Sequence, residues 1–72
     1  MSDSVYKVVE LIGTSGESWE KAAANAVAMA ANTIDDIRIA EVSEMDIVVD
    51  QGNITAYRTK VHISFKVHEK VD

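Results

Sequence analysis

A glycine divides this chain into a strand-forming segment and a helix-forming one. Val5–Ile12 is rich in β-branched residues and stops at Gly13, after which small hydroxyl residues turn the chain into an alanine-rich segment. The pattern predicts a first strand over Val5–Ile12 and a helix from about Glu17 to about Thr33. The rest of the chain is typical of strands, so a single helix must cover the sheet that they form.

The predicted helix has a capped start and one apolar stripe. Ser15 or Ser18 can accept a backbone N–H bond at its N-terminus, where Glu17 and Glu20 suit the positive end of the helix dipole. The residues at buried helical spacing are Trp19, Ala22, Ala23, Ala26, Val27 and Ala30. Because this stripe is mostly alanine, we expect the helix to approach a sheet closely. We expect Trp19 to be a large core side chain at one end of the helix.

Two further strands follow, from Ile37 to about Val49 and from Ile54 to Val67. They flank a turn at 50–53, in which Gly52 can take a positive φ. The second strand alternates imperfectly, which indicates either a β-bulge or burial of both faces. The third alternates cleanly, with one apolar face made by Thr59, Val61, Ile63, Phe65 and Val67.

The element order β-α-β-β predicts an α+β fold. Strands two and three form a hairpin, and strand one reaches strand two through the helix. The simplest arrangement is a three-stranded antiparallel sheet with strand three in the middle and the helix on one face. The opposite face is expected to be too apolar in strands one and two to stay in water, and therefore to meet other subunits.

The length of the chain also indicates self-association. Its 72 residues form one domain over residues 1–72. A domain of this size buries only about 60% of the surface of its unfolded chain, so it usually needs a disulfide, a metal or a partner. The chain has no Cys, which leaves oligomerisation or a hard cation.

The charge of the chain excludes some classes of function. Twelve acidic residues against seven basic ones give a net charge of −5, which argues against nucleic-acid binding. No run of about 18 apolar residues is present, and the N-terminus lacks the basic start of a signal peptide. We expect a soluble, cytoplasmic protein.

A basic stripe on the third strand is the first candidate site. Arg58, Lys60 and His62 point to the same side of the strand. They could hold a phosphate or a nucleotide-like ligand by charge-assisted hydrogen bonds. The alternative, which we favour, is that they pair with acidic residues of the neighbouring strand: Glu41, Glu44 and Asp46.

Carboxylates form the second candidate site. Glu44 and Asp46 are two residues apart on a strand, so they share a face at a spacing of about 7 Å, and Glu17 lies at the helix start. Calcium needs six to eight oxygen ligands, which one copy cannot supply from these residues. Symmetry copies converging on an axis could supply them. The alternative is a solvated acidic surface.

Catalysis has little support in the sequence. His62 and His68 can titrate near neutral pH, but neither has an obvious nucleophile or second base beside it. Six residues apart on a strand, they are about 20 Å apart and cannot share a metal. We expect a protein that is not an enzyme.

Four segments of the chain resemble the dodecins, small flavin-related proteins with the same β-α-β-β order. The segments are Tyr6–Ser15, Ser18–Ala23, Thr33–Val42 and Val61–Val67. The resemblance implies a hollow homododecamer, with the helix outside and the sheet facing inward, that stores or buffers a small ligand. It also implies cations held at carboxylates, for which Glu17 and Glu44 are the matching candidates.

The resemblance also implies where a flavin such as FMN or riboflavin would bind. Flavin-binding dodecins stack the ring on a tryptophan of the second strand and bond it to a glutamine of the third. The matching positions here are Ile39 and Arg58, which offer no π face and only donors, so flavin would need a modified pose. Other segments look more like the calcium dodecins, namely 18–20, 35–38 and 54–58. Calcium is therefore the favoured ligand, and the alternatives are flavin in a modified pose and a structural oligomer that holds no ligand.

Overall fold

The computed structural model describes residues 3–67. The elements are β1 (Val5–Ser15), α1 (Trp19–Ala31), β2 (Ile37–Asp50) and β3 (Asn53–Val67). The three strands form one sheet in the order β1-β3-β2, and both pairings are antiparallel. This confirms the α+β fold and the β-α-β-β order, with the third strand in the middle. Among the residues described, no helix is long and apolar enough to cross a membrane.

Strand β1 continues through Gly13, so the predicted end at Ile12 is wrong. Its pairing with β3 runs on to Ser15, which faces Tyr57. Gly13 does not end the strand. Because it has no side chain, it leaves room for the helix to pack against the strand. A Cβ at Gly13 would clash with the carbonyl oxygen of Ala22 and lie 3.1 Å from the Cβ of Ala26. The helix therefore rests directly on the backbone of β1.

Helix α1 is two residues shorter at each end than expected. Ser18 is the N-cap, and its Oγ accepts a hydrogen bond from the Lys21 backbone N–H at 3.0 Å. Ser15 supports the preceding turn, because its Oγ accepts from the Glu17 N–H at 2.9 Å. The C-terminal turn closes where the carbonyl of Ala30 accepts from two N–H groups beyond the helix.

The core lies between α1 and the middle of the sheet. Its fully buried apolar residues are Ala22, Ala26, Ala30, Val61 and Ile63. Thr59 is also buried, and its Oγ1 donates a hydrogen bond to the Trp19 carbonyl at 2.9 Å. The buried alanines confirm the predicted stripe.

Trp19 departs from that stripe, because 37% of its surface is exposed. Its indole lies at the flank of the helix, where Nε1 donates to the backbone carbonyl of Asp46 at 3.0 Å. The ring meets Tyr57 edge-on, with centroids 5.2 Å apart. The expectation of a core tryptophan is therefore wrong: Trp19 joins the helix start to β2 at the edge of the core.

The imperfect alternation of β2 comes from irregular pairing. Its register against β3 shifts between Ile37 and Ile39, between Val42 and Glu44, and between Val48 and Val49. This confirms the β-bulge and not burial of both faces, since nearly all of β2 is exposed. The hairpin turn has positive φ at Gln51 (50°) and at Gly52 (81°), as predicted for the glycine.

Candidate functional site

The sheet face opposite α1, called the open face below, carries three rows of cross-strand neighbours. Each row joins one residue of β1, one of β3 and one of β2. The rows are Glu10–His62–Glu41, Ile12–Lys60–Glu44 and Thr14–Arg58–Asp46. Because β3 is central, each of its three basic side chains lies beside an acidic side chain of β2, and His62 also lies beside Glu10 of β1.

Arg58 and Asp46 make a two-point ion pair on this face. The Arg58 Nε donates to Asp46 Oδ1 and its Nη2 donates to Oδ2, both at 2.7 Å. This two-point contact holds the pKa of Asp46 below its ordinary value and raises the pKa of Arg58. In the next row, Lys60 Nζ lies 3.3 Å from Glu44 Oε1.

His62 lies between two carboxylates. Its Nε2 is 2.8 Å from Glu10 Oε2, and its Nδ1 is 3.6 Å from Glu41 Oε1. The hydrogen bond to Glu10 raises the pKa of His62 above its ordinary value, and the same bond lowers the pKa of Glu10. His62 therefore links all three strands by charge.

These contacts confirm that the basic stripe pairs with acidic neighbours across the sheet. Every predicted partner on β2 is present: Glu41, Glu44 and Asp46. The pairing leaves no free basic stripe for a phosphate. Glu10 is an additional partner, which the sequence reading missed because it considered only the hairpin neighbour. The position of Glu10 on the same face as Tyr6 and Val8 was the available signal. His68 lies outside the described residues.

The expectation that β1 and β2 are apolar on the open face is wrong for most of β2, where Glu41, Glu44 and Asp46 lie. Ile12 lies within one of the charged rows, and other exposed apolar side chains lie beside the rows, among them Tyr6, Val8 and Ile39. Others lie on the helix side, at the flank of β2 that α1 leaves uncovered, such as Val42 and Met45. Uncovered apolar surface is thus present, as expected, but it is divided between both faces.

The predicted metal ligands are only partly brought together. Glu44 and Asp46 lie side by side on the open face, with side chains 68% and 51% exposed. They line a small cavity of about 80 Å³ together with Ile12, Arg58 and Lys60. Glu17 is exposed in the connection between β1 and α1. Within residues 3–67, no three His, Asp or Glu side chains form a cluster that could hold a metal ion.

The two predicted flavin positions share the open face but are far apart on it. Ile39 faces Ser64 on β3, six residues along the strand from Arg58. At about 3.3 Å per residue the separation is about 20 Å, so one copy cannot place both against one flavin ring. Ile39 is 60% exposed, and Arg58 is held by Asp46.

The chain matches known proteins over nearly its whole length. The family model described as Dodecin matches residues 5–68. The calcium dodecin of Mycobacterium tuberculosis is 53% identical over 64 residues, which cover 89% of this chain and 90% of that protein. The dodecin of Thermus thermophilus is 34% identical over 65 residues, which cover 90% of this chain and 94% of that protein.

Solved structures share the fold. The crystal structure of the Mycobacterium tuberculosis calcium dodecin, described as calcium-chelating with a novel calcium-binding site, has a TM-score of 0.81. It is 51% identical, and the match covers 96% of this chain and 99% of that one. The dodecin of Streptomyces coelicolor has a TM-score of 0.91 at 27% identity, covering 97% of this chain and all of that one. The order of the elements, the central third strand and these matches show that the chain belongs to the dodecin family.

Proposed function

We propose that this protein is a calcium-binding dodecin whose copies assemble into a hollow homododecamer that stores or buffers the ion. The observation that carries the proposal is its 53% identity with a calcium dodecin along nearly the full length of both chains. The two neighbouring carboxylates of the open face, Glu44 and Asp46, supply ligands of the kind that calcium prefers.

Assembly is what completes such a site. Calcium takes six to eight oxygens, and Glu44 with Asp46 provides at most four. We infer that carboxylates of neighbouring copies, including Glu17, converge with this pair near a symmetry axis. At −5 per chain, twelve copies would carry −60. A shell of that charge attracts cations strongly, especially at low salt.

Arg58 and Lys60 set a condition on this binding. Both neutralise the candidate ligands, and Arg58 occupies both oxygens of Asp46. Calcium must therefore displace these cations or use the lone pairs that they leave free. Binding at this pair should weaken as ionic strength rises, because screened exposed charges attract each other less.

Calorimetric titration of the assembled protein with Ca²⁺ tests the proposal. We expect heat of binding, and a melting temperature that rises with Ca²⁺ and falls with chelator. Asp46→Asn and Glu44→Gln should each weaken binding by about tenfold or more, since each removes a charged ligand. Asp35→Asn is the matched control, because it removes the same charge from an exposed loop. Unchanged titrations in both site variants would assign the ion to other residues.

Flavin binding is the second candidate. Ile39 and Arg58 both lie on the open face, so two copies facing each other could bring Ile39 of one near Arg58 of the other. Quenching of riboflavin phosphate fluorescence on titration is the test. The double variant Ile39→Trp with Arg58→Gln should gain quenching, because it supplies a stacking ring and an amide that both donates and accepts.

We further propose that the protein is not an enzyme and works in the cytoplasm. Its partners in this proposal are other copies of itself and a small ligand or cation, with no role for nucleic acid or membrane. The acidic charge of the chain and the pairing of its basic side chains support this.

A further inference from the structure

Trp19 of α1 lies behind the row of the open face that contains Asp46. Its indole Nε1 donates a hydrogen bond to the backbone carbonyl of Asp46 at 3.0 Å. The Asp46 carboxylate is on the open face, where it pairs with Arg58. The carbonyl and the carboxylate branch from the same Cα, so the bond to the indole fixes the piece of backbone that carries the carboxylate.

Two further contacts hold Trp19 in this position. Thr59 Oγ1 donates to the Trp19 carbonyl at 2.9 Å, and the Tyr57 ring meets the indole edge-on, with centroids 5.2 Å apart. Tyr57 and Thr59 flank Arg58 along β3. Because successive side chains of a strand point to opposite faces, Trp19 contacts the neighbours of Arg58 on one side of the sheet while Arg58 holds Asp46 on the other.

The backbone around Asp46 has little other support. It belongs to β2, an edge strand that is exposed along nearly all of its length. The pairing of β2 with β3 is irregular just before it, with a register shift between Val42 and Glu44. Segments with few buried contacts open at a low free-energy cost. A hydrogen bond from the helix therefore limits the movement of a carboxylate on this strand.

We propose that Trp19 is a positioning residue for the proposed calcium site, because its hydrogen bond to the backbone of Asp46 holds the carboxylate of that residue in place for the ion. The inference rests on the calcium binding given under Proposed function and adds a residue from the opposite side of the sheet. Arg58 cannot fill this role, since calcium must displace it or share Asp46 with it. The indole binds the backbone carbonyl, so its bond persists in both states. A ligand that is already held in place loses less freedom when the ion binds.

Two side chains of α1 provide a matched comparison. Trp19→Phe keeps an aromatic ring and removes the donor to Asp46. Asn25→Leu removes a donor of the same kind, since Asn25 Nδ2 donates to the Thr14 carbonyl at 2.9 Å. Thr14 is at the other end of the same row and has no carboxylate. Calorimetric titration of each assembled variant with Ca²⁺ is the measurement.

The two variants should differ in affinity. We expect Trp19→Phe to raise the dissociation constant for Ca²⁺ by about tenfold, the lower end of the range for residues that orient a metal ligand. Asn25→Leu should bind Ca²⁺ as wild type does, although it also loses a bond between the helix and the sheet. Equal weakening in both variants would mean that general loosening of the sheet is responsible, and it would overturn the proposal.

A measurement on the unaltered chain covers the possibility that Trp19→Phe does not fold. The sequence has one tryptophan, so the indole N–H gives a single resonance in the proton NMR spectrum. That resonance should shift as Ca²⁺ is added, with the dissociation constant found by calorimetry. In Asp46→Asn, which keeps the backbone carbonyl, the shift should be lost at concentrations that saturate wild type. An indole resonance that does not respond to bound Ca²⁺ would overturn the proposal.

The possible failures are distinguishable. If wild type shows neither heat of binding with Ca²⁺ nor a shift of the indole resonance, the proposed function is wrong and the inference fails with it. If wild type and Asp46→Asn bind Ca²⁺ equally, calcium binding stands but uses other residues, and Trp19 has no ligand to position. If Asp46→Asn loses affinity and Trp19→Phe does not, the site stands and only the inference is wrong.

Discussion

The two faces of the sheet are stabilised in opposite ways. On the helix side, the core residues Ala22, Ala26, Ala30, Val61 and Ile63 are between 0% and 5% exposed. On the open face, the paired side chains remain between 28% and 72% exposed. Close packing of apolar side chains stabilises the helix side, whereas ion pairs between strands form on the open face.

Because of this difference, the residues that stabilise the fold and those of the proposed binding site lie on different faces of the sheet. The buried core tolerates few substitutions, because adding or removing one methyl group in a densely packed core lowers the stability of the fold. Exposed ion pairs contribute little to stability, so their residues can be exchanged without loss of the fold. We conclude that the helix face determines whether the chain folds, and that the proposed ligand site lies on the face where residues can be exchanged with the smallest loss of stability.

The largest effect is expected where the helix touches β1. Gly13→Ala would place a Cβ against the carbonyl oxygen of Ala22, which is backbone and cannot rotate away. We expect a loss of about 3 kcal/mol or more in the free energy of unfolding, or no folding at all. Urea unfolding followed by circular dichroism is the measurement. Gly16→Ala is the control, since nothing lies within 4 Å of its added Cβ. Equal midpoints for both variants would contradict close contact at Gly13.

A second pair of variants compares the faces through the same residue type. Ile63 is 0% exposed and Ile39 is 60% exposed. Ile63→Ala should lower the free energy of unfolding by about 2–5 kcal/mol, because it leaves a cavity. Ile39→Ala should change it by no more than about 0.5 kcal/mol in a dissociated copy. A larger loss for Ile39→Ala that appears only in the assembly would show that a neighbour buries this side chain.

Two threonines allow a finer comparison. Thr59→Val removes the buried donor to the Trp19 carbonyl, and we expect a loss of about 1 kcal/mol in thermal or urea unfolding. Thr55→Val removes an exposed hydroxyl that donates to the Val48 carbonyl at 3.3 Å. That change should stay within about 0.5 kcal/mol. If both variants lose equally, burial of the hydroxyl is not what gives the Thr59 bond its value.

The smallest effect is the pH dependence of the open face. The groups that face His62 are Glu10 on β1 and Glu41 on β2, and the charge of Lys60 on β3 acts on Glu10. The pKa of His62 is raised from 6.5, so its contribution to stability is complete below about pH 6.5 and is lost as pH rises through the raised value. The pKa of Glu10 is lowered from 4.5, so its contribution is present above about pH 4.5 and is lost on acidification.

His62→Gln tests this sign. The melting-temperature advantage of wild type over the variant should be largest between about pH 4.5 and 6.5 and should shrink above that window. Both proteins keep His68, so its titration cancels in the difference. An advantage that is constant from acid to alkaline pH would mean that the charge on His62 has no role in holding the strands.

Much of the fold was predictable because the spacing of apolar residues and the residues that form turns are local features of the sequence. The clean alternation of β3, the alanine stripe of α1 and the turn at Gly52 required no knowledge of distant neighbours. Gly13 shows the limit of this approach. A glycine after a strand predicts an ending, whereas here it accommodates a helix whose position depends on the tertiary fold.

The site was less predictable because it depends on register. The partners of Arg58 and Lys60 lie on the hairpin neighbour, which a short turn fixes. Glu10 comes from a strand 52 positions away from His62 in the chain, so its pairing required the topology. The ligand set of a cation depends in addition on how copies meet, which no pattern within one chain specifies.

The strand order affects the tendency of a single newly made chain to aggregate. Because β3 is central, β1 and β2 are both edge strands, and each presents one row of unpaired backbone groups in the described chain. Such edges are templates for uncontrolled pairing between chains. In the proposed assembly, copies must therefore associate faster than they aggregate, and chains released by heat or dilution are expected to precipitate before they reassemble.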